Sequence, residues 1–206
     1  MKKFNGYDEA KKEAAYQGST KIPTGAYICK ISNVRYEEGQ DGFNDRIIVA
    51  FDVAEGEHKD FFKKQYEANT DENKKWKGTA RVRVPSDDGS EQDGWAKKQF
   101  ARWTNALEQS NSKYTWDWDE KKWKNKMIGI IFREVGTVID DREVTYMEVS
   151  APCSTLDAKN GTFWEGYLKF KAKNGYSGKA AASTSDNSDV NDFMTIPEGT
   201  EEEIPF

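Results

Sequence analysis

Hydrophobic and polar positions divide the chain into an arm, a patterned body and an unpatterned tail. Tyr7 to Tyr16 is rich in Ala, Lys and Glu and predicts a short helix that Gln17-Gly18-Ser19-Thr20 ends, within an N-terminal arm of residues 1–22. Ile22-Pro23-Thr24-Gly25-Ala26-Tyr27 then leads into a β-type run from Ile28 to Tyr36. Its apolar positions Ile28, Ile31 and Val34 do not alternate, which predicts a bulge or strong bend. Asp41-Gly42 marks a turn, and the next strand is clear: Ile47, Val49, Phe51 and Val53 share one face, opposite Arg46, Ile48, Ala50 and Asp52. After a loop at Gly56 and the segment Phe61 to Tyr66, Ala80, Val82 and Val84 alternate with Thr79, Arg81 and Arg83, a strand with one core face and one basic face. Pro85-Ser86-Asp87-Asp88-Gly89 stops it. A long helix is expected from Glu91 to Gln109, its apolar stripe formed by Ala96, Phe100, Trp103 and Leu107. Two or three further strands are expected, at Met127 to Arg133, Glu143 to Ser150 and Thr162 to Phe170, with a short helix or aromatic cap at Tyr114 to Trp123.

Strands, one principal helix, then more strands predict a mainly β domain over residues 23–174. The arrangement is that of an OB-fold, a small Greek-key β-barrel that binds oligonucleotides on one sheet face and its loops, with a sandwich as the alternative. Composition agrees: of 206 residues only 36% are hydrophobic, but 7 Trp, 9 Tyr and 11 Phe supply large rings for a core. No apolar run is long enough to cross a membrane, and Met1-Lys2-Lys3-Phe4 leads into no apolar signal segment, so a cytoplasmic protein with no membrane partner is expected. Two distant cysteines, Cys29 and Cys153, and a single histidine, His58, assemble no zinc-ligand spacing and no nucleophile–histidine set. His58 reads as a solvated loop residue, and no cofactor or metal is implied.

Charge changes the picture most. The whole chain carries 31 basic and 36 acidic side chains, net −5, but Ser183 to Phe206 holds seven acids and no base, which leaves 31 bases against 29 acids, net +2, in the rest. Residues 175–206 are therefore expected to be a flexible acidic tail, because Ala180 to Asp189 offers too little apolar area to offset the entropy of ordering. The tip breaks that pattern. Glu201, Glu202 and Glu203 run into Ile204, Pro205 and Phe206, a small apolar anchor with a restricted backbone and a free carboxylate, suited to capture in a basic pocket.

This tip resembles the C-terminal end of bacterial and phage single-stranded DNA-binding proteins, with Glu where those proteins mostly use Asp. The body is similar to the phage-encoded members in Ile22 to Tyr27, in Phe51-Asp52-Val53-Ala54-Glu55-Gly56-Glu57-His58-Lys59-Asp60, in the helix, and in Asn125-Lys126-Met127-Ile128-Gly129. The resemblance implies a protein that coats single strands exposed in phage or prophage replication and recombination. It also implies that replication and recombination enzymes are recruited through Glu201, Glu202, Glu203, Ile204, Pro205 and Phe206, and is compatible with a homo-oligomer.

Single-strand binding needs cations that track phosphates together with rings on which bases stack. Lys63, Lys64, Tyr66, Trp76, Lys77, Arg81 and Arg83 form the densest basic and aromatic stretch, and Lys30, Arg35, Tyr36, Phe43 and Arg46 from the first two strands are expected to complete one groove. Trp76, flanked by Lys74, Lys75 and Lys77, is expected to be exposed. The carboxylate pairs Asp87/Asp88, Asp117/Asp119 and Asp140/Asp141 sit in turn-forming segments, and an enzyme is not expected. An aromatic-rich carbohydrate-binding or virion interaction module is the alternative function class, although it gives no account of the Ile204-Pro205-Phe206 tip.

Overall fold

The alternation at 46–53 forms β2 (Arg46–Val53), which buries Ile47, Val49, Phe51 and Val53 and leaves the residues between them half-exposed. It lies in a computed structural model that describes residues 21–39 and 44–178. The expected arm helix, the turn at Asp41-Gly42, Phe43, and the tail with Glu201, Glu202, Glu203, Ile204, Pro205 and Phe206 lie outside the described residues. Ile22, placed in the arm by the sequence, belongs to the core at 2% exposure. The described residues through Tyr176 belong to one compact unit.

β1 (Gly25–Glu37) pairs antiparallel with β2, and its register shifts between Ile31 and Asn33. That bulge explains the broken alternation. Before it Cys29 and Ile31 point to the core; after it Val34 lies opposite Val49 and Tyr36 opposite Ile47, so the inward set changes from odd to even positions. The Ser32 hydroxyl, at the extra residue, donates to the Ala50 carbonyl at 3.1 Å.

The remaining strands are β3 (Thr79–Arg83), β4 (Met127–Ile139), β5 (Arg142–Cys153) and a two-residue β6 (Lys171–Ala172). The order is β3-β2-β1-β4-β5, antiparallel throughout, with β6 parallel to β4. β4 and β5 run six and three residues past their expected ends, joined at Asp140-Asp141, both at positive φ as a tight hairpin requires.

Three helices accompany the sheet: α1 (Phe61–Ala68), α2 (Glu91–Ser110) and α3 (Thr155–Asn160). The Ser90 hydroxyl caps α2 by accepting from the Asp93 amide, and the expected stripe of Ala96, Phe100, Trp103 and Leu107 is buried. α2 lies between β3 and β4 in the chain and packs against β3, β4 and β5, so both ends of the strand order meet one helix. The Asn111 side chain pins its C-terminal end to β4, donating to the Leu107 and Met127 carbonyls and accepting from the Met127 amide.

The strand expected at Thr162 to Phe170 is a correction. That segment is a 3-10 turn at Glu165–Leu168 followed by β6. β1 occupies one side of β4 from Met127 to Phe132, and β6 pairs beyond it only at Val135 and Gly136. Asp157 also turns the chain back after α3, accepting from the Thr162 hydroxyl at 2.7 Å.

Candidate nucleic-acid interface

Register builds a basic surface on the outer side of β1, β2 and β3. Residues directly opposite on paired strands point to the same side with Cβ atoms about 5 Å apart. Three rows therefore cross the sheet: Glu37, Arg46 and Arg83; Arg35, Ile48 and Arg81; Asn33, Ala50 and Thr79. Among the described residues these rows hold four arginines and one glutamate. Glu37 is held between two of them, accepting from Arg46 Nε at 2.9 Å and from the Arg35 guanidinium. Arg81 is exposed and Arg83 half-buried, and neither makes an ion pair among the described residues. They do not pair with carboxylates of α2. Like charges opposite one another, as at Arg46 and Arg83, repel unless an anion lies between them, so the array favours a polyanion across its rows.

Lys30 extends the surface at the other end, opposite Asp52. The Asp52 carboxylate is itself committed: it accepts from the amides of Val53, Phe62 and Lys63 at 2.8 to 3.0 Å and so caps α1. Lys63 and Lys64 are exposed in the first turn of that helix, and Lys64 donates to the Lys59 carbonyl.

The rings depart from expectation. Tyr36 is 42% exposed but lies on the core side of β1, opposite Ile47, and not beside Arg35. Its hydroxyl donates to Asp45, and that bond pushes the phenol up to about 12. The other Asp45 oxygen accepts from the Gly39 amide at 2.8 Å, so Tyr36 and Asp45 latch the β1–β2 connection.

Trp76 is half-buried against the core, contrary to its expected exposure. Its indole N–H donates to the carbonyls of Phe51 and Gly78 at 3.2 and 3.0 Å, which ties the loop before β3 to β2. Tyr66 packs against it with ring centroids 5.8 Å apart, and Lys74 lies 4.8 Å over the Tyr66 ring. Phe62, Gln65, Tyr66, Asn69, Lys75 and Lys77 line a shallow depression beside α1. The sequence-derived set thus separates into an arginine face (Arg35, Arg46, Arg81, Arg83, with Lys30) and a lysine-rimmed aromatic edge (Lys63, Lys64, Tyr66, Trp76, Lys77).

His58 is also corrected. It is half-buried, its ring edge-on to Tyr27 at 5.6 Å and to Phe61 at 6.2 Å. The carboxylate pairs have structural uses: Lys97 bridges Asp87 and Asp93, Lys122 pairs with Asp117, and Asp140-Asp141 forms the hairpin turn. Among the described residues no cluster of three or more His, Cys, Asp or Glu is placed to hold a metal, and no helix is long and apolar enough to cross a membrane.

Sequence reasoning missed Trp118. Of the three tryptophans between Tyr114 and Trp123, Trp123 is fully buried and Trp116 half-buried, whereas Trp118 is 82% exposed. The spacing alone carried no signal to separate them. No protein-family model and no curated protein matches this chain.

Proposed function

We propose that this chain binds single-stranded DNA across the outer face of β1, β2 and β3, coats strands exposed in phage replication or recombination, and recruits partner enzymes through Ile204-Pro205-Phe206. The observation that carries the reading is the cross-strand arginine array, Arg35, Arg46, Arg81 and Arg83, with Glu37 the one acid described in its rows. Its rows offer several cations to phosphates across neighbouring strands, with Ile48 and Ala50 between them. The fold reading supports this. An order of β3-β2-β1-β4-β5 with a helix between β3 and β4 is the order of an OB barrel left open between its third and fifth strands, and OB-folds take oligonucleotides on the second and third strands.

Anisotropy of a labelled oligo-dT, measured beside duplex DNA, single-stranded RNA and a soluble polysaccharide, tests the reading. The single strand should be preferred. Replacing Arg81 and Arg83 together by Ala should weaken binding at low salt and make the log–log salt slope shallower, by about 0.7 for each phosphate no longer neutralised. Failure to bind oligo-dT at low salt, or equal affinity for polysaccharide, sinks it.

A further inference from the structure

Trp118 is the most exposed large hydrophobic residue among those described, and it is costly where it stands. Its φ is +66°, a left-handed conformation that bulky residues rarely adopt, so the local fold holds it there against its own preference. Packing contributes part of that hold. The indole stacks on Phe100 of α2, centroids 6.4 Å apart and planes 11° from parallel, and lies 5.8 Å from Trp116. The ring therefore sits at the edge of an aromatic cluster in which Phe100 and Trp116 also pack on Trp123, while most of its surface meets solvent.

The neighbouring chain is basic. From Lys113 to Lys126 there are five lysines against Asp117, Asp119 and Glu120. Lys122 is spent on Asp117, and Lys126 lies 4.8 Å over the Tyr114 ring, but Lys121 and Lys124 are exposed. This segment continues β4 backward along β1. The Asn125 amide donates to the Ile31 carbonyl and the Ile31 amide to the Lys126 carbonyl, and the 3-10 turn at Glu120–Trp123 packs against β1 beyond the last β1–β4 pair. Arginine rows and the lysine-bearing turn thus lie on successive neighbours: β3, β2, β1, then residues 120–126.

We infer that Trp118 is a stacking platform for a nucleobase, at a second subsite on the segment that neighbours β1, with Lys121 and Lys124 meeting the adjacent phosphates. The inference rests on the single-strand reading and adds a position to it. A ring already held by contacts to Phe100 and Trp116 loses less freedom when a base stacks on it than an unsupported one would, and base–aromatic stacking is tolerant of sequence.

The test compares Trp118→Ala, Trp118→Phe and Trp164→Ala with the wild type in oligo-dT binding and thermal melting. Trp164, 63% exposed on a different segment, is the control for loss of an exposed indole. Trp118→Ala should weaken binding about five- to a hundredfold, the worth of one stacked base, while Trp118→Phe retains most of the affinity and Trp164→Ala all of it. If Trp118→Ala does not fold, the comparison rests on Trp118→Phe and on Lys121→Ala with Lys124→Ala, which should weaken binding without lowering the melting temperature. Wild-type affinity in the Trp118 variants, with Arg81→Ala still impaired, overturns the platform and leaves the arginine face standing. A wild-type protein that binds no single strand overturns both.

Discussion

At the scale of single residues, a ring between lysines is not thereby a surface ring. Trp76 has lysines on both sides in sequence, yet two backbone carbonyls accept its one N–H and its body packs on the core. Trp76→Ala should therefore act on stability first, lowering it by about 2 kcal/mol through the loss of packing and of the indole donor, the Gly78 carbonyl keeping the Phe51 amide as a partner. Trp76→Phe, which keeps an aromatic ring but removes the donor, should cost about 1 kcal/mol. Urea melts of both variants, beside oligo-dT titrations under folding conditions, separate the roles. Unchanged melting with weakened binding would return Trp76 to the interface. No local pattern distinguishes the two states, because the carbonyls that hold the indole come from β2, at Phe51, as well as from neighbouring Gly78.

Elements were legible where they carry their own periodicity and opaque where a distant group creates them. β2, β3 and α2 follow from alternation, the helical stripe and a Ser90 cap, all contained within each segment. α1 could not be read this way, since its cap is the Asp52 carboxylate on β2, and Asp60 before it is left-handed. The arginine face was half legible: the basic side of β3 is visible in sequence, but only the bulge at Ser32 puts Arg35 outward and Tyr36 inward. One element also has a titration signature. Glu148 on β5 accepts from Arg133 at 2.7 Å and from Lys173 near β6; burial alone would raise its carboxyl, but the two cationic donors outweigh that and hold it below its usual value. Because the folded value is depressed, the group's stabilisation is complete above the ordinary carboxylate range near about 4.3 and is lost as pH falls through the lower, folded value. Glu148→Gln should lower stability at neutral pH by about 2 kcal/mol, leaving Arg133 and Lys173 without their anion. The gap to wild type should narrow in melts at about pH 3, and a gap that stays constant with pH would mean the carboxylate is not ionised in the fold.

For the whole molecule the governing quantity is the uneven distribution of charge. Seven acids and no base between Ser183 and Phe206 turn a chain that would carry +2 into one that carries −5, so the long-range field opposes a polyanion even though the arginine rows attract it at close range. Deleting 183–206 removes that opposition without touching the sheet. The truncated protein should bind oligo-dT roughly threefold to tenfold tighter at low salt, and the advantage should fade as ionic strength brings the Debye length to about 10 Å and below. Shortening the chain by Phe206 alone keeps all seven acidic side chains, so DNA affinity should stay at the wild-type value while capture of replication or recombination enzymes is lost with the apolar anchor. Salt-dependent anisotropy on the two variants, paired with pull-down on single-stranded DNA beads, reads the two effects independently. A truncation that weakens DNA binding at low salt would show that the acidic segment contributes to the interface, and partner capture that survives loss of Phe206 would remove the tip from the proposal.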